Sequence, residues 1–186
     1  MEVQTAEQNT QQLLDELRHG RLDVIFIPER ALGPELGYEE IYEEEFLLVA
    51  GDGMIGKDRC LDGYSSVIDW KRVKDLPFAV LKKGHGSREK CEEIFRRYAV
   101  NPVIAFETSS NLTALRMAEA GFAVAMVPEM TVRLFQGARR FNTYSLDKVP
   151  ITWKVLAVYR KEAYQNLAQK EFIKIAQRVF NNKGVI

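Results

Sequence analysis

His19 and His85 are the two imidazoles of this chain, and Cys60 and Cys91 are its two thiols. A histidine can act as a general base, and a nucleophile within its reach would complete a group-transfer centre. His19 lies in "LRHG", the last turn of an expected helix, where an imidazole serves the carbonyl end of the dipole. His85 lies in "GHGSRE", two residues before Ser87. A nucleophile elbow reads G-x-S-x-G at a strand-to-helix turn, and the second glycine is missing here. No H-E-x-x-H, C-x-x-C or P-loop run occurs. The two cysteines are too few and too far apart for a disulfide framework or a zinc site. The expectation is therefore no catalytic residue, no metal and no cofactor, with two reduced thiols.

Hydroxyls carry the stronger signal. "TSSNLTALRMAEAGFAVAMVPE", Thr108 to Glu129, opens on Thr108, Ser109 and Ser110, and then runs through a helical stripe of Leu112, Leu115 and Ala118 to Gly121. The apolar run Ala123 to Val127 follows, closed by Pro128. Hydroxyls at a helix start satisfy its unpaired N–H groups. At the carboxyl ends of strands in α/β folds, the same groups also bind anions. Both readings stay open from these residues alone.

Positioning these groups falls to repeated units of helix, glycine, strand and proline. Near the N-terminus, Glu2–Thr5 reads as a short strand, and Asn9 or Thr10 as a cap with Gln12 completing a capping box. Leu13, Leu14 and Leu17 stripe the helix to Gly20, and Leu22–Ile27 reads as a continuous buried strand stopped by Pro28. Phe46–Ala50 is a buried strand, and the acidic run Glu39, Glu40, Glu43, Glu44 and Glu45 before it reads as a solvated strand edge. Gly51, Gly53 and Gly56 spell G-x-G-x-x-G, but no helical stripe follows Gly56, which favours a crossover loop over a nucleotide site.

After a connector over 64–77, Phe78–Leu81 is a strand, and Cys91, Ile94, Phe95 and Tyr98 define a helix with Ser87 as its N-cap and Arg88 beside it. Val103–Phe106 is the strand before the quoted stretch. Beyond Pro128 the reading is a short helix over Met130–Phe135, a polar stretch, a long strand in "ITWKVLAVYR", and a last helix. That helix carries Tyr164, Leu167, Ala168, Phe172, Ile175, Ala176 and Val179 on one side.

The 186 residues suffice for one domain or two small lobes, and 26 Lys and Arg balance 26 Asp and Glu. Zero net charge gives no electrostatic footprint for nucleic acid or an anionic membrane. No apolar run approaches the roughly 20 residues of a membrane span. Met1 is followed by Glu2-Val3-Gln4 rather than a basic and apolar leader, so a cytoplasmic chain is expected.

Three stretches in this order, "LLDELRHGRLDVIFI", "DLPFAVLKKGHGSREKCEEIF" and "LTALRMAEAGFAVAMVPE", resemble the effector-binding domain of LysR-type transcriptional regulators. Ala123 stands where the family often has Gly. The resemblance implies a two-lobed α/β fold of the type 2 periplasmic-binding-protein kind, joined by two crossover strands, with effector in the interlobe cleft. Lobe I would comprise 1–50 and 156–186, and lobe II 51–155. Carried over, the effector-binding residues would be Asn9, Thr10 and Pro28, then His85, Ser87, Arg88, Thr108, Ser109, Ser110 and Pro128.

Helix ends converging on a ligand favour a small anion, such as a carboxylate, by about 0.3–2 kcal/mol per terminus. The family also implies a homo-oligomer in the full-length protein and DNA contact only through a winged helix-turn-helix. That element has no counterpart here, nor has the further strand and helix which the family places ahead of "EVQTAEQNT". A solute-binding protein of the same fold is the alternative. A redox sensor of this family would need two neighbouring cysteines in lobe II, whereas Cys60 falls in a loop and Cys91 in a helix.

Overall fold

Helix α1 (Thr10–Arg18) starts where Asn9 leaves the extended region: its side chain accepts from Gln12 N at 2.9 Å while Gln12 Oε1 accepts from Asn9 N at 3.2 Å. The expected capping box is therefore formed. The structure is a computed structural model and describes residues 4–135, 140–163 and 167–181. The expected strand over Glu2–Thr5 lies partly outside them, and Gln4 and Thr5 are not in a strand.

Two compact units divide the chain. Unit 1 takes Met1–Tyr42, Gly84–Gly86 and Lys154–Val185. Its strand β1 (Ile25–Pro28) pairs antiparallel with β7 (Thr152–Arg160), Ile25 facing Val158 and Ile27 facing Leu156. The first part of strand β2 (Leu36–Gly51), up to Tyr42, and helix α6 (Leu167–Asn181) complete it. Leu14, Leu17, Ile25, Ile27, Leu36, Leu156 and Val158 form its main core. Each such side chain contributes about 1.5–3 kcal/mol when fully buried.

Two readings need correction here. The strand expected over Leu22–Ile27 as wholly buried is shorter and one-sided, since Phe26 is 36% exposed between buried Ile25 and Ile27. α6 buries Ile173 and packs Ala176 and Phe180 inward, whereas Leu167, Phe172, Ile175 and Val179 of the expected stripe are exposed. The apolar arc of this helix is wider than one neighbour covers, so periodicity alone did not tell which half is buried. Tyr164 lies outside the described residues.

Unit 2 takes Glu43–Lys83 and Ser87–Trp153. Strands β3 (Pro77–Leu81), β4 (Val103–Thr108) and β5 (Val124–Pro128) run parallel, β3 pairing with both others. The second half of β2 pairs antiparallel with β5 and with β6 (Phe141–Ser145). Helix α2 (Trp70–Val73) and helix α3 (Gly86–Arg97) pack on one face, where Trp70, Phe78, Val80, Ile94, Phe95 and Met126 meet. Helix α4 (Asn111–Glu119) covers the other with Ala114, Leu115 and Ala118. Gly121, at φ 77°, supplies the left-handed turn that ends α4.

The acidic run is not wholly solvated. It lies within the 16-residue β2, whose pairing with β5 and β6 begins only at Phe46 and Leu47, beyond the run. Glu44 is buried: it accepts from Trp153 Nε1 at 2.9 Å and from Met130 N at 2.6 Å, capping α5 (Glu129–Arg133). After Gly56 there is only a three-residue 3₁₀ turn, Lys57–Arg59, which rules out the helix a dinucleotide fingerprint requires.

Candidate functional site

Three helices of unit 2 begin just past the carboxyl ends of three parallel strands: α3 after β3, α4 after β4 and α5 after β5. The first turn of any helix leaves N–H groups without backbone partners. The hydroxyls singled out in the sequence lie at these starts.

Thr108 is the last residue of β4 and is buried, opposite Leu81 in the β3–β4 register. Its carbonyl accepts from Lys82 N at 2.8 Å, and its Oγ1 accepts from Ser110 N at 3.3 Å. Ser110 is the cap of α4, its side chain accepting from Thr113 N at 3.4 Å. Ser109, between them, is exposed, and its hydroxyl makes no hydrogen bond to the described residues. Pro128 ends β5, buried, and precedes α5 as its N-cap residue.

Ser87 departs from the expectation. α3 begins at Gly86, so Ser87 is inside the first turn and is not the residue before it. The residue is 4% exposed, and its hydroxyl oxygen is not one of the buried side-chain atoms left without a partner. Asn111 Oδ1, in the first turn of α4, is by contrast buried without a hydrogen-bond partner. Nothing in the sequence marks Asn111 out, because an Asn beside a helix start is ordinarily a cap.

Arg88 is held by its own unit. Its guanidinium donates to Leu81 O at 2.9 Å, to Glu107 at 2.6 Å and to Glu92 at 2.7 Å. Burial opposes its charge, but the hydrogen bonds to Glu107 and Glu92 outweigh this and raise its pKa. These contacts fasten the first turn of α3 to the ends of β3 and β4. Arg88 thereby fixes where Ser87 sits.

In unit 1 the structure brings together Asn9, Thr10, Pro28 and the segment Gly84–Gly86. Gly86 N donates to Thr10 Oγ1 at 3.1 Å, leaving the Thr10 hydroxyl proton available to donate. A Cβ on Gly86 would lie 2.5 Å from Pro28 Cγ, so any side chain at this position would collide with the proline ring. His85 is half-buried in the same segment. Among the described residues, no group of three His, Cys, Asp or Glu side chains could hold a metal ion. No helix there is long and apolar enough to cross a membrane.

Parallel strands with helix starts at their carboxyl ends, in a chain of two α/β units, define a small-molecule-binding class of architecture. The LysR substrate binding domain model matches residues 1–181, and the chain belongs to that family, one of transcriptional regulators and not of enzymes.

A curated relative, a probable hydrogen peroxide-inducible genes activator of Mycobacterium avium, is 27% identical over 133 residues. The match covers 70% of this chain and 40% of that relative, so this chain spans less than half its length. Among solved structures, the regulatory domain of CcmR from Synechocystis in complex with 2-PG superposes with TM-score 0.78 at 18% identity, over 94% of this chain and 81% of that one. The Corynebacterium glutamicum OxyR C206 mutant gives TM-score 0.77 at 23% identity, over 94% and 53%. These likenesses establish the periplasmic-binding-protein-like fold.

Proposed function

We propose that the chain is the sensing part of a cytoplasmic, oligomeric LysR-type regulator. It binds a small anionic effector, and a DNA-binding domain reads out the result. Ser87, Thr108 and Ser109 donate hydroxyl protons to the anion, joined by first-turn N–H groups of α3 and α4. Arg88 acts as a positioning residue, and Ser110 and Pro128 set the starts of α4 and α5. Asn9, Thr10, Pro28 and His85 are the proposed effector contacts of unit 1.

The observation carrying this reading is Asn111. A buried polar atom left without a partner costs roughly 1–3 kcal/mol, and Asn111 Oδ1, in the first turn of α4 and close in sequence to Ser109, has none among the described residues. An effector that carries a donor, such as a hydroxyl, beside its anionic group would supply it.

The test is a thermal-shift panel of small carboxylates and hydroxycarboxylates set against their neutral amides. Stabilisation by acids and not by amides is expected. Equal stabilisation by both would remove the anionic part of the proposal.

A further inference from the structure

Among the described residues of unit 2, two side-chain oxygens are buried with no hydrogen-bond partner: Asn111 Oδ1 and Glu45 Oε1. Their places in the fold are related. On β2, Leu47 and Val49 belong to the core beneath α4, while Phe46, Leu48 and Ala50 belong to the core on the other face. Strand side chains alternate, so Glu45 points to the α4 face with Leu47 and Val49. Along α4, Asn111, Leu115 and Ala118 stand at i, i+4 and i+7, and Leu115 and Ala118 are fully buried against that face. Asn111 therefore turns toward the same face.

The level along the strands agrees as well. Phe46 pairs with Pro128, the last residue of β5, so Glu45 lies at the carboxyl end of that strand. α4 begins just after β4 ends, and β4 runs parallel to β3 and so to β5. Its first turn is thus at the same end. Helix α4 packs chiefly on β5, the strand beside β2. One end and one face of the sheet hold both oxygens.

An ionised carboxyl and an amide oxygen are both acceptors, so neither can serve the other. A hydroxyl offers one proton and can serve one of the two. A hard divalent cation takes roughly six or more oxygens, and among the described residues no group of three His, Cys, Asp or Glu side chains could hold one. An ammonium offers three donors and a positive charge. It serves both oxygens and offsets the cost of burying a carboxylate oxygen.

We propose that the effector is an α-amino acid, with its carboxylate at the hydroxyls and first-turn N–H groups of the helix starts and its ammonium between Asn111 Oδ1 and Glu45 Oε1. The inference rests on the anionic reading above and specifies the donor beside the anion. Asn111 is two residues from Ser109, so the amine adjoins the carboxylate. The dipole of α4 favours the carboxylate at its N-terminus and disfavours the ammonium. Glu45, from a neighbouring strand system, supplies the countercharge that the helix cannot.

The experiment is calorimetric titration of the 186-residue chain with L-α-amino acids, each set against its 2-hydroxy acid and its amide. At least one amino acid is expected to bind, about tenfold or more tighter than its 2-hydroxy acid, the worth of a hydrogen bond to a charged group. Glu45→Gln keeps the shape and removes the charge, so its melting temperature should hold or rise while the preference for the amine disappears. Asn111→Ala should weaken the amino acid more than the hydroxy acid. A 2-hydroxy acid that binds as tightly as its amino acid, or a Glu45→Gln chain that keeps the preference, would overturn the inference and leave the anionic reading standing. Amides that bind as tightly as the acids, or no binding by any carboxylate, would overturn both.

Discussion

Arg88 Nη1 lies 2.6 Å from Glu107 Oε1, joining the first turn of α3 to the last residues of β4. Arg88 is itself buried, while the Glu107 and Glu92 side chains are about half exposed, at 49% and 46%. Solvent screening therefore keeps the worth of the network below that of a fully buried pair. Arg88→Met should cost about 2 kcal/mol, on the scale of a hydrogen bond to a charged group, read as a lower urea midpoint with unchanged slope. Paired with Glu107→Gln, it should show clear non-additivity in a double-mutant cycle, and additive effects would mean the contact stabilises nothing.

Tyr98 donates its hydroxyl proton to Asp147, and its ring stacks on Trp70. Burial first, then the carboxylate, push the Tyr98 pKa up to about 12, and the Tyr98 hydrogen bond holds that of Asp147 low. A raised pKa contributes stability that is complete below the unfolded value near 10 and is lost as pH rises toward 12. The depressed carboxyl contributes above its ordinary value of 3.8 and is lost as pH falls through its lower folded value. Tyr98→Phe should flatten both limbs of the stability profile, measured by denaturant titration across pH.

Cys60 and Cys91 are both buried at 1% exposure. Burial pushes the Cys60 thiol up and the Cys91 thiol up to about 12, so neither supplies a thiolate near neutral pH. Although the Mycobacterium avium relative is described as a probable activator of hydrogen peroxide-inducible genes, these two cysteines are predicted spectators. Ellman's reagent should label them only on unfolding, and replacing both by Ser should leave any peroxide response of the full-length protein unchanged. Cys91→Ser should still lower stability through lost packing. Rapid stoichiometric labelling of the native chain would contradict this.

Balanced charge predicts that the chain alone does not retard promoter DNA at modest salt, since non-specific binding rests on clustered Lys and Arg. A gel shift that fades steeply with added salt would show the opposite.

Local chemistry made part of this structure legible. The Asn9 capping box, the Gly121 turn and the β3–β5 strands follow from residues close together in the chain. β6 did not, because "FNTYS" has no apolar run: only Tyr144 and Phe141 are buried, and pairing with β2 makes the strand. The length of β2 was hidden by its glutamates, which alternate between solvent and specific partners such as Trp153. In unit 2, hydroxyl types marked where helices start but not which hydroxyl caps which helix. Ser110 caps α4 while Ser109 does not, and Ser87 lies one step inside α3. Nothing in the sequence signals that Thr10 accepts from Gly86, since 76 residues separate them.

The central claim is that hydroxyls at the helix starts of unit 2 hold an anionic effector, and the most direct measurement is calorimetric titration of Ser87→Ala. The probe is the carboxylate that most stabilises the parent chain in the panel, with melting curves recorded alongside. Ser110→Ala, which removes a working cap, should lower stability by about 1 kcal/mol. Ser87→Ala removes a hydroxyl that caps no helix, since Ser87 lies inside the first turn of α3, so its melting temperature should hold. Its affinity should fall by roughly tenfold or more, the worth of a hydrogen bond to a charged group. Unchanged affinity in Ser87→Ala would contradict the account and move the effector away from these helix starts.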